Sequence, residues 1–248
     1  MNDQELLDCA MDIGEEMLRC GAEIGRVEDT VERIGLAYGC TRVDVFTITS
    51  SIVVTLHRTG DAVTQTRRIY AHLTDLERLR RLNALSRGIC AQTPELDKVR
   101  AEFQKIVAMP ATPLKLQYAA FALTAGAFSV FFGGTLGDAM ISSVIGMLLK
   151  WLSAFAARMR LNSVISNVFL SFAGGAMALL ALQLGLGSSY DRIVIGDIML
   201  LIPGIALTNA LRDMFDRDLI SGIQRLCEAL LMSAAIAVGF ALAQKVIL

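Results

Sequence analysis

The 248 residues are 54% hydrophobic and only 19% charged, with a mean hydropathy of +0.53, which is too apolar for an ordinary soluble protein and far from a disordered composition. A net charge of −1 and an isoelectric point near 6.1 leave no basic surplus for a nucleic-acid partner. Five cysteines without a CxxC pair, and only two histidines, His57 and His72, support neither a disulfide framework nor a zinc site. The charge is uneven: residues 1–112 hold 14 Lys/Arg and 17 Asp/Glu, residues 113–248 only 9 and 7. The expected fold is therefore a small α+β cytoplasmic domain, residues 1–112, followed by an α-helical membrane domain, residues 113–248. The acidic start, Met1-Asn2-Asp3-Gln4-Glu5, has no basic stretch leading into an apolar one, so no cleavable signal peptide is expected. Four of the five cysteines fall in the polar region, which suits a reducing compartment.

In chain order, Leu6, Ala10, Ile13 and Met17 recur at helical spacing, with Asp3, Glu5, Glu15 and Glu16 off that face, and Gly21 as the stop. A second helix carries Ile24, Val27, Val31, Ile34 and Tyr38 on one face and ends at Gly39. The period then changes. Residues 43–57 are rich in Val, Ile, Thr and Phe and read as two strands turning near Ser50-Ser51; a turn at Thr59-Gly60-Asp61 leads to a third strand over 62–70. Thr74 and Glu77 fit a capping box that opens a helix, and Thr93-Pro94-Glu95 opens another with proline at its first helical position.

A helix needs about 20 mainly apolar residues to cross the hydrocarbon core. Five segments qualify: 114–132, 139–157, 163–184, 193–211 and 222–243. The second and fourth connections hold Arg158, Arg160, Arg212 and Arg217, while the first holds no basic residue and the third only Arg192. The positive-inside bias then puts the N-terminus in the cytoplasm and the C-terminus outside a bacterial inner membrane. Small residues line faces of three spans: Ala122 and Gly126, Gly174 and Ala178, and Ala235, Gly239 and Ala243. Such faces serve a homo-oligomer, another chain or packing within one bundle equally well.

Pro203-Gly204 interrupts the fourth span, so a half-helix from Ile205 would present free N–H groups to a carboxylate. Ionisable residues at membrane depth are costly and become candidates for substrate binding or proton coupling. Asp197, Glu228, Arg225, Lys150 and Asp138 qualify, with Asn167 and Asn209 as neutral polar groups. An internal Arg225–Glu228 pair and a snorkelling Lys150 are the structural alternatives. In the polar region, Gly21 to Thr30 crowds Arg26, Glu28, Asp29 and Thr30 into one helix start, suited to a ligand, to docking, or simply to solvent. Ser50 and Ser51 lack an adjacent base, and neither a nucleophile elbow nor a phosphate-binding loop is present. No catalytic residue, metal or cofactor is called for.

Gly21-Ala22-x-x-x-Arg26-Val27-Glu28-Asp29-Thr30 resembles a motif of the threonine/serine exporter family (ThrE). The run Ile202-Pro203-Gly204-Ile205-Ala206-Leu207-Thr208-Asn209-Ala210-Leu211-Arg212-Asp213, continued by Ser221-Gly222-Ile223-x-Arg225-Leu226-x-Glu228-Ala229-Leu230, is the more specific match. The resemblance covers essentially the whole chain. It implies secondary export of a small substrate: a carboxylate such as succinate in the two-chain form, or threonine and serine in the fused form. A second, smaller helical membrane domain found in fused members is missing, which implies a separately encoded partner of YjjB type. A membrane-anchored sensor or enzyme acting through residues 1–112 is the rival class.

Overall fold

The computed structural model describes residues 2–58, 60–70 and 73–247; Thr59 of the expected turn, and His72, lie outside them. The chain divides into two compact units, one made of residues 1–110 and 205–226, the other of 111–204 and 227–248.

The first unit opens with α1 (Asp3–Arg19) and α2 (Ile24–Ala37). Gly21 and Gly39 follow these helices with φ of +90° and +86°, a left-handed turn that glycine adopts without strain. An antiparallel meander comes next, β1 (Arg42–Ile48), β2 (Ser51–Arg58) and β3 (Asp61–Arg68), in the order β1-β2-β3. Ile48 pairs with Ser51 across a two-residue turn. Ile52, Val54 and Leu56 alternate inward from β2 and join Leu6, Leu7, Met11, Ile13, Met17, Ile24 and Ile34 in one core. Close packing of α2 depends on Gly35, where an added Cβ would lie 2.6 Å from Val43 Cγ2.

Helix α3 (Leu76–Gln92) begins one residue later than the expected capping box. Its cap is Asp75, whose carboxylate accepts from the Arg78 amide at 3.0 Å, because Thr74 stands one position too early to reach the third helical amide. In α4 (Leu96–Val107) the proline is likewise outside the helix: Glu95 is the cap, and Thr93, at φ +42°, closes α3 instead. Glu16 also departs from the sequence reading. It is buried, and its carboxylate meets Arg78 of α3 at 2.8 Å, so the polar side of α1 is partly roofed by a second helix.

The second unit holds α5 (Leu114–Phe131), α6 (Leu136–Arg158), α7 (Ser163–Gln183) and α8 (Tyr190–Ile198). Helix α9 (Gly204–Phe215) belongs from Ile205 onward to the first unit, and α10 (Leu219–Ile247) contributes its residues up to Leu226 to the first and the remainder to the second. Among the described residues four helices are long and apolar enough to cross a membrane: α5, α6, α7 and α10. The chain is thus a multi-pass membrane protein. The expected fourth span, 193–211, is not one helix: it is divided into α8 and α9 by the residues from Met199 to Pro203.

Within the second unit the small residues serve internal packing. A Cβ on Gly126 would lie 3.0 Å from the Ala139 carbonyl of α6, one on Gly175 would lie 2.9 Å from Ala243 and Phe240 of α10, and one on Gly239 would overlap Ser171 of α7. Asp138, expected at the mouth of the second span, is fully buried and fully engaged. It completes a capping box with Thr135, whose amide and hydroxyl donate to Oδ2 at 2.9 and 2.8 Å. It also accepts from the Ser188 amide at 2.7 Å, the Ser188 hydroxyl at 2.6 Å and the Ser189 amide at 3.3 Å.

Candidate functional site

Two short stretches far apart in sequence, residues 21–24 and 209–225, meet in the first unit. The chain reverses between α9 and α10 at Arg217, held at φ +73°, with the Asp218 amide donating to the Asp213 carbonyl at 2.8 Å. Gly222 lets the two helices close: a Cβ there would lie 3.0 Å from the Ala210 carbonyl and from the Met214 amide. This hairpin presents Asn209, Arg212, Asp213 and Arg225 to the turn between α1 and α2, and Gln224 to the β1–β2 turn.

Each of those side chains finds a partner. Asn209 donates to the Gly21 carbonyl at 3.0 Å, and Arg225 donates to the Ala22 carbonyl at 2.9 Å. Both carbonyls belong to the turn between α1 and α2, outside either helix. Glu23 pairs with Arg212. The Asp213 carboxylate accepts from the Ile24 amide at 3.3 Å, at the start of α2, and its other oxygen faces Arg225 Nη1 at 3.1 Å as an ion pair without hydrogen-bond alignment. Both side chains of that pair are buried, Asp213 to 1% and Arg225 to 12% exposure. Burial pushes the Asp213 carboxyl above the usual carboxylate range, against the opposing pull of Arg225. Close by in sequence, Glu28 accepts from the Thr47 amide at 2.8 Å, and burial raises its carboxyl too. Thr49, in the β1–β2 turn, donates to Gln224 Oε1 at 2.6 Å.

A second polar cluster lies inside the second unit. Asp197 on α8 is fully buried, and the Ser142 hydroxyl of α6 donates to its Oδ1 at 2.9 Å. Its Oδ2 has no hydrogen-bond partner among the described residues, and neither has the buried Ser129 hydroxyl of α5. Gly196 makes the approach possible: a Cβ there would meet the Ala125 carbonyl and Ser142 Oγ and lie 3.2 Å from Ser129 Cβ.

The sequence-level candidates thus separate. Asn209 and Arg225 join the cluster around residues 21–24, with Glu28 near it, while Arg26 is exposed. Arg225 pairs with Asp213 rather than with Glu228; Glu228 is exposed and makes no hydrogen bond or ion pair with the described residues. Pro203 and Gly204 stand at the break, where the Gly204 amide donates to the Ile202 carbonyl at 2.8 Å. Lys150 lies over the Phe121 ring, 5.2 Å from its centre, and so is accounted for by a cation–π contact. The Asn167 carbonyl accepts from Ser171. Sequence reasoning missed Asp213, Glu23 and Gln224 as partners, and Ser129 and Ser142 beside Asp197. The one available signal was that Asp213 closes the longer motif.

The family model described as "Putative threonine/serine exporter" matches residues 8–247. The probable succinate transporter subunit YjjP of Escherichia coli (strain K12) is 26% identical over 230 residues, covering 92% of this chain and 89% of that one. The probable threonine/serine exporter of Mycobacterium tuberculosis is 25% identical over 247 residues, covering 96% of this chain but only 46% of that protein. No solved structure matches.

Proposed function

The chain belongs to the threonine/serine exporter family, and from that premise we propose that it is the larger membrane subunit of a secondary exporter for small carboxylates, succinate foremost. The observation that carries this reading is that the two segments bearing the family resemblance fold onto one another through polar contacts that are buried or partly buried. An independent enzyme tethered to an anchor has no need to bury Arg225 and Asp213 of its membrane-adjoining helix hairpin against its own α1–α2 turn.

In this reading the chain crosses the membrane five times, residues 193–211 forming the interrupted fourth crossing, with the N-terminus cytoplasmic and the C-terminus outside. Arg158 and Arg160 in one connection and Arg212 and Arg217 in another support that orientation. The substrate carboxylate is met at the break, by the start of α9 after Pro203-Gly204 and by Asn209. Arg225 acts through Asp213 and the Ala22 carbonyl to hold the cytoplasmic motif, including Glu28 and Arg26, beside that segment. Glu228, uncommitted on α10, and Asp197 are the acidic groups available for coupling or for a substrate ammonium.

A smaller membrane subunit of YjjB type completes the exporter. Two facts support a partner: the word subunit in the name of the E. coli relative, and the M. tuberculosis relative's much greater length. The latter's name keeps threonine and serine as the second substrate class. The test is efflux of labelled succinate and labelled threonine from preloaded cells expressing this chain alone or with the smaller subunit. Succinate efflux that requires both chains is expected. Threonine efflux alone moves the assignment to the amino acids, and no efflux of either, with both chains verified in the membrane, refutes the exporter reading.

A further inference from the structure

We infer that Asp197 is a proton-binding site in the core of the second unit, holding its proton at rest and exchanging it during the transport cycle. Nothing in the family comparison singles out this residue; the geometry does. The side chain is completely buried on α8, which packs against α5, α6 and α7. Among the described residues the carboxyl receives one hydrogen bond, from Ser142 to Oδ1, and Oδ2 has no partner.

What faces it from those helices is neutral. From α5 come the Ser129 hydroxyl and the Ala125 carbonyl, brought close by Gly196. From α6 comes Ser142, whose hydroxyl also reaches the Ile193 carbonyl at 3.4 Å. Helix α7 carries no charged residue. The Tyr190 hydroxyl, two turns back on α8, is itself buried and unpartnered among the described residues. The charged groups of the neighbouring helices are engaged elsewhere or stand at their ends: Asp138 in its cage, Lys150 over Phe121, and Lys115 and Arg158 at the helix termini.

A carboxylate ion removed from water needs a cation or several donors to offset its lost hydration, and one serine hydroxyl is not enough. With no cation among the described residues facing it, the carboxyl holds a proton. Ionising it requires either water or a positive charge to reach Oδ2, so loss of the proton goes with a rearrangement around α8. That is the coupling a proton-driven transporter needs. The protonation stands on this geometry alone; its role in transport rests on the exporter reading. Glu228, exposed and bonded to nothing described, lacks the burial that would keep it neutral.

Infrared difference spectroscopy of the purified full chain near neutral pH tests this directly, since a protonated carboxylic acid has a carbonyl band that a carboxylate lacks. A band present in the wild type and absent from Asp197→Asn is expected. Ser142→Ala should keep the band but move it to higher frequency, because Ser142 donates to the carboxyl oxygen; a residue of merely structural importance would not produce that shift. No acid band separating wild type from Asp197→Asn overturns the inference. So does a band that appears in choline chloride and vanishes in sodium chloride, which would assign the site to sodium. The transport role is read from wild-type efflux with the smaller subunit, which should quicken under an imposed proton gradient; efflux indifferent to that gradient overturns the role and leaves the site standing. An acid band in a chain that moves no labelled substrate upholds the site and refutes the exporter reading.

Discussion

Replacing Arg225 with Met removes the cation from a buried pair while keeping most of its apolar bulk. Asp213, 1% exposed, is left with the Ile24 amide as its remaining donor, and the Ala22 carbonyl loses Arg225. Truncating one member of a buried pair typically costs about 3–5 kcal/mol, because the other charge stays buried. At about 1.4 kcal/mol per factor of ten, that corresponds to roughly two to four orders of magnitude more frequent opening of this part of the unit. Cys20 reports on it. Its thiol is fully buried immediately before the motif, and burial, reinforced by Glu16, pushes it up to about 12. It therefore reacts with a maleimide only when the structure opens. The labelling rate at Cys20, followed by peptide mass spectrometry, should rise at least a hundredfold in Arg225→Met. It should fall back substantially in Asp213→Asn/Arg225→Met, where no charge is stranded and the introduced amide oxygen can still accept from Ile24. A single variant labelled at the wild-type rate, or a double variant labelled as fast as the single, would refute the reasoning.

Other consequences are testable in the same preparation. Gly35→Ala should destabilise the first unit by about 1–3 kcal/mol through the overlap with Val43. Gly88→Ala, in a helix with nothing within 4 Å, should stabilise it by roughly 0.5–1 kcal/mol; opposite shifts in thermal midpoint check both. Glu28 has its carboxyl raised by burial, so its ionised form is penalised in the folded state. Glu28→Gln, which keeps an acceptor for Thr47, should be at least as stable as wild type at pH 7, and the advantage should vanish as pH falls to the ordinary value of 4.5, where the unfolded chain is protonated as well. Melting both proteins across that range measures it. Asp138→Ala leaves the Ser188 amide and the Thr135 amide without their acceptor and should cost about 3 kcal/mol or more, read as a lower midpoint of the detergent-solubilised chain.

Much of the fold was legible because its signals are local. The strand meander announces itself in the run of β-branched residues from Val43 to His57, and Gly21 and Gly39 mark helix ends through the backbone conformation they allow. The four long apolar helices follow from composition alone. The errors are of two kinds. Helix starts slipped by one residue at Asp75 and by two at Glu95, since Thr, Asp and a preceding proline compete for the cap and only the realised geometry selects one. Partnerships across sequence were invisible: Arg225 and Glu228 share a helix face, but a left-handed residue at Arg217 folds Asp213 back onto Arg225 first. Glu16 was misplaced for the same reason, its partner Arg78 being some sixty residues away. In the candidate site, the residue types were visible but not who holds whom, because the hairpin that joins them has no signature stronger than Gly222.

The cage around Asp138 has a mechanical meaning. One carboxylate gathers donors from the α5–α6 turn, at Thr135, and from the α7–α8 loop, at Ser188 and Ser189. Those two connections are thereby clamped into a single fulcrum: neither can swing without shedding charge-assisted bonds at the other. Helix α8 leaves that fulcrum at Tyr190 and runs on past Ile198 in looser turns, the Met199 and Ile202 amides still donating to the Ile195 and Ile198 carbonyls, so it is a lever pinned at one end. Any stroke it makes grows with distance from Ser189, and Asp197 rides at the end that travels furthest.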